Sequence, residues 1–331
     1  MLTVHTCAAS SGAPITDLSA STVPANVVWI DLFNGDAAEV DFVERATGLH
    51  VPTLTELSEI ESSSRLRVEK DALSLSTPIV FRTESGEPVT TSVGFVLRHD
   101  LLITIRFTDL KVFRSFAESC AKPDAVHPSS AGAFIGLLEA IVDRIADVLE
   151  GIGADLDAVS KRIFRADAAK AFVRRRPARE DADLREILRK IGRAGDLTSK
   201  IRNSLLGLGR MVPYVAGLGA NWLAAEVKPH LETLRQDIVS LNDYDAHLSN
   251  NVQLLLDATL GLINIEQNNI IKVLTIVSVV GVPPTLVASM YGMNFRHMPE
   301  LDWAWGYQYG LALIALSAIL PLLWFKLRGW L

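Results

Sequence analysis

The chain has 331 residues, 49% of them apolar, with a formal net charge of −6 and two cysteines. The acidic balance argues against nucleic acid as the main partner, and Cys7 and Cys120 offer neither a metal-ligand spacing nor a disulfide framework. The length allows two ordinary domains, and the apolar residues crowd into the C-terminal fifth, so a soluble-type body precedes a membrane-type end.

Residues 1–24 are rich in Ser, Thr, Ala and Pro and read as a flexible tail. No basic segment followed by an apolar core opens the chain, so no signal peptide is expected. Val27 to Phe33, ended by Asn34-Gly35, predicts a strand and a turn. Glu39 to Thr47 predicts a short helix closed by Gly48. Thr53 to Ile60 predicts another, with Thr53 and Glu56 in capping-box spacing. Strands are expected over Leu66–Ser74, Thr77–Arg82, Thr91–Leu97 and Leu101–Phe107, then a helix over Leu110–Ala121. Residues 25–125 therefore read as an α/β cytoplasmic domain.

From Ser129 the apolar spacing becomes helical. Ser129–Arg165 carries it through Leu138, Ile141, Ile145, Leu149 and Ile152, and Asp181–Leu208 through Leu184, Leu188 and Ile191. Ala224–Leu262 repeats it, with no strong breaker between Pro229 and the first long apolar run. That helix is expected to continue for about 60 residues, or ~90 Å, which is a stalk. Residues 129–268 thus form a cytoplasmic helical domain ending in the stalk. Its basic run, Lys161 to Arg179, fits a solvated hairpin tip or a contact with anionic headgroups.

Two apolar runs follow, each near the ~20 residues that span a bilayer. Transmembrane helices are expected over 269–293, lining the pore, and 303–325, joined by a periplasmic loop over 294–302 and followed by a basic cytoplasmic tail, 326–331. Trp303, Trp305, Tyr307, Tyr309, Trp324 and Trp330 crowd the proposed interfaces. Lys326 and Arg328 predict that both termini lie in the cytoplasm of a bacterial-type inner membrane.

The hydroxyls of the first span, Thr275, Ser278, Thr285 and Ser289, fall on one stripe with Asn268, Ile271, Val282 and Gly292. Its period of about 3.5 keeps one face of a straight helix toward a common axis. Small polar residues can glue a helix pair in lipid. Alternatively, several copies line a narrow pore, with Ile271 and Val282 as apolar constrictions. Asn294 at the mouth favours the pore, because a ring of amide oxygens accepts hydrogen bonds from the water shell of a strongly hydrated cation.

Tyr291-Gly292-Met293-Asn294, set between two apolar runs, resembles the signature of the CorA family of divalent-cation channels. The likeness extends over Asn268–Phe295, over Met298-Pro299-Glu300-Leu301 with Trp303, and to Trp29-Ile30-Asp31 and Ser62-Ser63-Ser64-Arg65, covering roughly residues 25–331. It implies a CorA-like funnel, a homopentamer in the lipid bilayer. Gly292, Met293 and Asn294 would form the selectivity filter, and Asn268, Ile271, Leu274, Val282, Thr285 and Asn294 would face the pore. It implies Mg²⁺, with Co²⁺ or Ni²⁺ as other cargoes, and closure by cytoplasmic Mg²⁺ on carboxylates between neighbouring domains. Thr233 falls near the family's sensing acid, with Asp237, Asp243 and Asp245 further along.

Many members carry an acidic residue after Asn-Phe, whereas this chain has Arg296, with Glu300 and Asp302 as possible ion-pair partners. Two alternatives stand beside the channel. One is a proton-coupled Zn²⁺ transporter of the ZntB branch, whose tripeptide is commonly Gly-Val-Asn; the other is a non-conducting membrane-anchored scaffold. No catalytic triad pattern, Gly-rich phosphate loop or HExxH motif occurs, so no enzyme is expected.

Overall fold

In the strand Val27–Phe33, Trp29 enters one apolar core while Ile30 and Leu32 enter another. Successive side chains of a strand point to opposite faces, so this sheet must be covered on both. The computed structural model describes residues 1–6, 13–15, 23–24, 26–59, 61–82, 87–120, 129–164, 177–219, 222–294 and 298–330. They divide into two units, Met1–Leu256 and Asp257–Leu331.

In chain order the elements are β1 (Leu2–Thr6), β2 (Ala13–Pro14), β3 (Val27–Phe33), α1 (Ala37–Thr47), α2 (Leu54–Leu57) and α3 (Ser62–Arg65). Then come β4 (Leu66–Glu69), β5 (Ala72–Arg82), β6 (Pro88–Leu97), β7 (Leu102–Arg106) and α4 (Lys111–Cys120). The long helices α5 (Ser130–Phe164), α6 (Pro177–Leu218) and α7 (Val227–Tyr291) follow, then a 3-10 turn (Pro299–Asp302) and α8 (Gly306–Leu327). A mixed α/β unit, a long stalk helix and a C-terminal apolar helix is the architecture the sequence predicts.

The sheet has seven strands in the order β2-β1-β3-β7-β6-β5-β4. Only β3 and β7 pair in parallel; the other pairs are antiparallel. One face packs Ile30, Leu32, Val96, Ile103 and Ile105 against Phe42, Val43 and Leu57 of α1 and α2. The other packs Trp29, Phe95 and Leu102 against Phe113 of α4 and Phe134 of α5. Helix α1 begins with a capping box between Asp36 and Glu39 and ends at Gly48, φ 68°, as its sequence requires.

Three expectations change. The segment 1–24 is not wholly a tail: β1 pairs antiparallel with β3, and Leu2 and Val4 are buried. Its alternation is short and sits in a Ser/Thr-rich stretch, where composition hides it. The strand expected over Leu66–Ser74 is a hairpin, because the chain turns at Lys70 (φ 46°) and Asp71. The apolar phase shifts there, from even positions at Leu66 and Val68 to odd ones at Leu73 and Leu75. The helix expected over Thr53–Ile60 stops at Leu57, where Ser58 caps it and donates its hydroxyl to the Leu54 carbonyl at 2.7 Å.

The parallel pair β3–β7 is tied by a buried polar network. Arg106 donates Nη2 to Asp31 Oδ2 at 2.8 Å and Nε to Oδ1 at 3.2 Å. Thr104 donates its hydroxyl to Asp31 Oδ1 at 2.7 Å and accepts the Trp29 indole N–H at 2.9 Å. Arg106 also lies 4.4 Å from the centre of the Phe33 ring, and His5 of β1 stacks on Trp29 at 4.0 Å. Burial pushes the His5 imidazole below its ordinary value, against the pull of Asp31. Asp31→Ala leaves Arg106 buried without its partner, which costs about 3–5 kcal/mol. The expected result is a marked fall in unfolding temperature by circular dichroism; an unchanged transition would refute the network's structural role.

Candidate ion-conduction site

Helix α7 runs for 65 residues without a break, or ~98 Å at 1.5 Å per residue. The two described helices long and apolar enough to cross a membrane are α7 and α8. Because one helix carries residues 268 to 291, the stripe from Asn268 to Ser289 keeps to one face. Ile271, Leu274 and Val282 are 59%, 66% and 62% exposed, so nothing else among the described residues covers them. Asn268, Ser278, Thr285 and Ser289 are exposed as well, and Thr275 is half-buried.

Two of the stripe hydroxyls are engaged by their own helix. Thr275 donates to the Ile271 carbonyl and Thr285 to the Gly281 carbonyl, each at 2.8 Å. The hydroxyl protons thus turn inward, and each oxygen keeps acceptor capacity for a group outside. Pro283 and Pro284 lie within the helix and have no N–H to give. They occupy the i+3 and i+4 positions from Val280, from which a helical donor would come. The Val280 carbonyl therefore has no such donor in its own helix.

At the C-terminal end of α7, Gly292 N–H donates to the Ala288 carbonyl at 3.0 Å and Met293 N–H to the Met290 carbonyl at 3.3 Å. The last turn is tight: a Cβ on Gly292 would stand 3.3 Å from the Ala288 oxygen. Asn294 follows at once, exposed and outside the helix. Arg296 lies outside the described residues. Glu300 and Asp302 fall in the 3-10 turn, with Asp302 exposed.

The other end of the span holds a cluster that sequence reasoning missed. Gly329 (φ 71°) turns the chain after α8. Trp330 N–H donates to the Phe325 carbonyl at 3.0 Å and Gly329 N–H to the Lys326 carbonyl at 3.2 Å. This is the Schellman pattern, completed by the stacking of Trp330 on Phe325 at 5.5 Å. The Lys272 ammonium lies 5.9 Å from the Trp330 ring centre. Glycine just beyond the last helical turn was the available signal for the cap; nothing in the sequence linked Lys272 to Trp330.

The candidate sensing acids do not converge. Asp237 and Asp243 are exposed, and no cluster of three or more metal-ligating side chains occurs among the described residues. Asp245 is fully buried, and Arg202 of α6 donates Nε to its Oδ2 at 2.9 Å. Arg202 Nη2 also reaches Ser249 Oγ at 2.9 Å. Asp245 Oδ1 has no partner among the described residues.

The family model described as CorA-like Mg²⁺ transporter protein matches residues 24–327. The chain belongs to this family. It is 32% identical over 315 residues to a magnesium transport protein CorA of Yersinia pseudotuberculosis, covering 95% of each chain. It is also 32% identical over 306 residues to the Escherichia coli K12 protein of that name, covering 92% of each. The complete structure of a CorA magnesium transporter from Methanocaldococcus jannaschii matches with a TM-score of 0.75 at 20% identity, covering 100% of this chain and 99% of that one. As a member of the CorA family, the protein is a membrane transporter with two candidate C-terminal spans and not an enzyme.

The Asp245 environment in this CorA-family chain has a testable consequence. Burial raises its carboxyl above the ordinary value, and Arg202 only partly opposes the rise. A carboxyl raised in the folded state contributes stability that is fully present below the unfolded value and lost as pH rises through the folded value. Thermal stability should therefore decline across that window. Asp245→Asn, which stays neutral, should flatten this part of the profile; identical pH profiles would refute it.

Proposed function

We propose that the protein is a Mg²⁺ channel of homopentameric form, with both termini in the cytoplasm. The observation that carries this is the exposed stripe on one uninterrupted helix, leading from Asn268 to Asn294 just past the helix end. The function by which the relatives are named, magnesium transport, agrees with it. Mg²⁺ releases its water reluctantly, so an Asn294 ring selects the hydrated ion by accepting hydrogen bonds from its water shell. Leu274, Val282 and Ile271 form apolar constrictions. Thr275, Ser278, Thr285 and Ser289 present oxygens between them. Cytoplasmic Mg²⁺ on the exposed Asp237 and Asp243 of neighbouring copies favours closure, while Asp245 acts through its pair with Arg202. Co²⁺ and Ni²⁺ are further cargoes.

In proteoliposomes, Mg²⁺ entry should follow membrane potential and ignore a pH gradient. Zn²⁺ uptake driven by protons would replace the channel with a ZntB-like transporter, and no flux from well-folded oligomers would leave a scaffold. Asn294→Ala should lower Mg²⁺ selectivity about tenfold or more; unchanged selectivity would remove the ring from the mechanism. Arg296→Glu replaces a cation at the mouth by an anion and should raise Mg²⁺ flux at low Mg²⁺ and low ionic strength. Unchanged flux would mean that Arg296 is held away from the ion path.

A further inference from the structure

Strand β5 outruns β4. Their register ends at Leu66 opposite Leu75, so from Ser76 onward that edge of β5 has no β4 neighbour. Helix α6 seats itself beside the bare edge through Gly207, where a Cβ would overlap Thr77 Oγ1 and stand 3.3 Å from Pro78 Cδ. A cavity of about 460 Å³ opens here, lined by Arg65 at the end of α3, Ser76 of β5, Thr90 of β6, and Asn203 and Arg210 of α6. Asn203, Gly207 and Arg210 share one helical face.

The charge of this cavity runs against that of the chain. The whole protein carries −6, yet two guanidinium groups and no Asp or Glu line this space; Arg210 is already engaged within the chain, and a guanidinium with five N–H donors keeps others to offer. Arg65 is held by one bond, Nε to the Glu59 carbonyl at 2.6 Å, and no carboxylate pairs with it among the described residues. Ser76 is 4% exposed, and its hydroxyl has no hydrogen-bond partner among the described residues. A buried hydroxyl without a partner is destabilising, and here it belongs to a residue of the cavity wall.

We propose that this cavity binds a phosphorylated small metabolite. Arg65 and Arg210 pair with phosphoryl oxygens, a head that the planar guanidinium matches in bidentate fashion. Ser76, Thr90 and Asn203 supply neutral hydrogen bonds. The volume suits a small organic phosphate rather than a bare ion. The assignment is independent of ion conduction, since all five residues lie in the N-terminal unit.

Calorimetric titration of the full-length protein in detergent tests it, with ribose 5-phosphate, adenosine 5′-monophosphate, inorganic phosphate and adenosine as probes. The two phosphate esters should bind and adenosine should not. Arg65→Ala and Arg210→Ala should each weaken binding about tenfold or more. Ser76→Ala, a small change with little risk to folding, should weaken it less but measurably. Silence from both esters at millimolar concentration, binding of inorganic phosphate alone, or equal affinity in all three variants would overturn the proposal.

Discussion

Along α7 one backbone pattern passes through two kinds of surroundings, and the chain is organised around that constraint. Before residue 257 the helix buries a single face through Leu231, Leu234, Ile238, Leu248 and Leu255, as an amphipathic helix does in water. Beyond it, apolar side chains point outward all round, and the span window has no buried residue. Only a helix or a closed barrel keeps its backbone satisfied in hydrocarbon. The sequence therefore changes its side-chain pattern without changing its secondary structure, and the polar stripe is what remains of sidedness after the change.

Two buried carboxylates, each paired with an arginine, show how differently the same chemistry can be set. Asp31 receives Arg106 through both carboxylate oxygens and takes a further bond from Thr104. A fully satisfied pair of this kind fixes strand register at the one parallel seam of the sheet. Asp245 holds Arg202 with one oxygen and leaves the other without a partner. Burial without full compensation is costly, so the α6–α7 contact is the more easily altered of the two.

The long helices, the two spans and the stripe were legible because helical periodicity persists over many turns and outweighs local exceptions. The capping box at Thr53 was legible for a different reason: its partner lies three residues away. What escaped was non-local. Arg106 meets Asp31 across 75 residues and Arg202 meets Asp245 across 43, and no spacing rule joins such positions. Strand β1 escaped because five residues give too little alternation to overcome their setting. The candidate site was legible as far as one helix could show it: the stripe follows from position along α7, and Asn294 from its place just past the helix end. The turning of the Thr275 and Thr285 hydroxyls onto the Ile271 and Gly281 carbonyls is a rotamer choice that sequence pattern does not specify.

The paired prolines carry a consequence for a solitary subunit. With Pro283 and Pro284 at both donor positions, the Val280 carbonyl has no i+3 or i+4 N–H to accept from, and in hydrocarbon an acceptor left bare costs several kcal/mol. A single copy surrounded by lipid tails cannot relieve it; water, or a donor from another chain, can. Solvation of one oxygen thus adds to side-chain packing in setting the preference between isolated and associated states. The relief it calls for is polar, and lipid tails hold none.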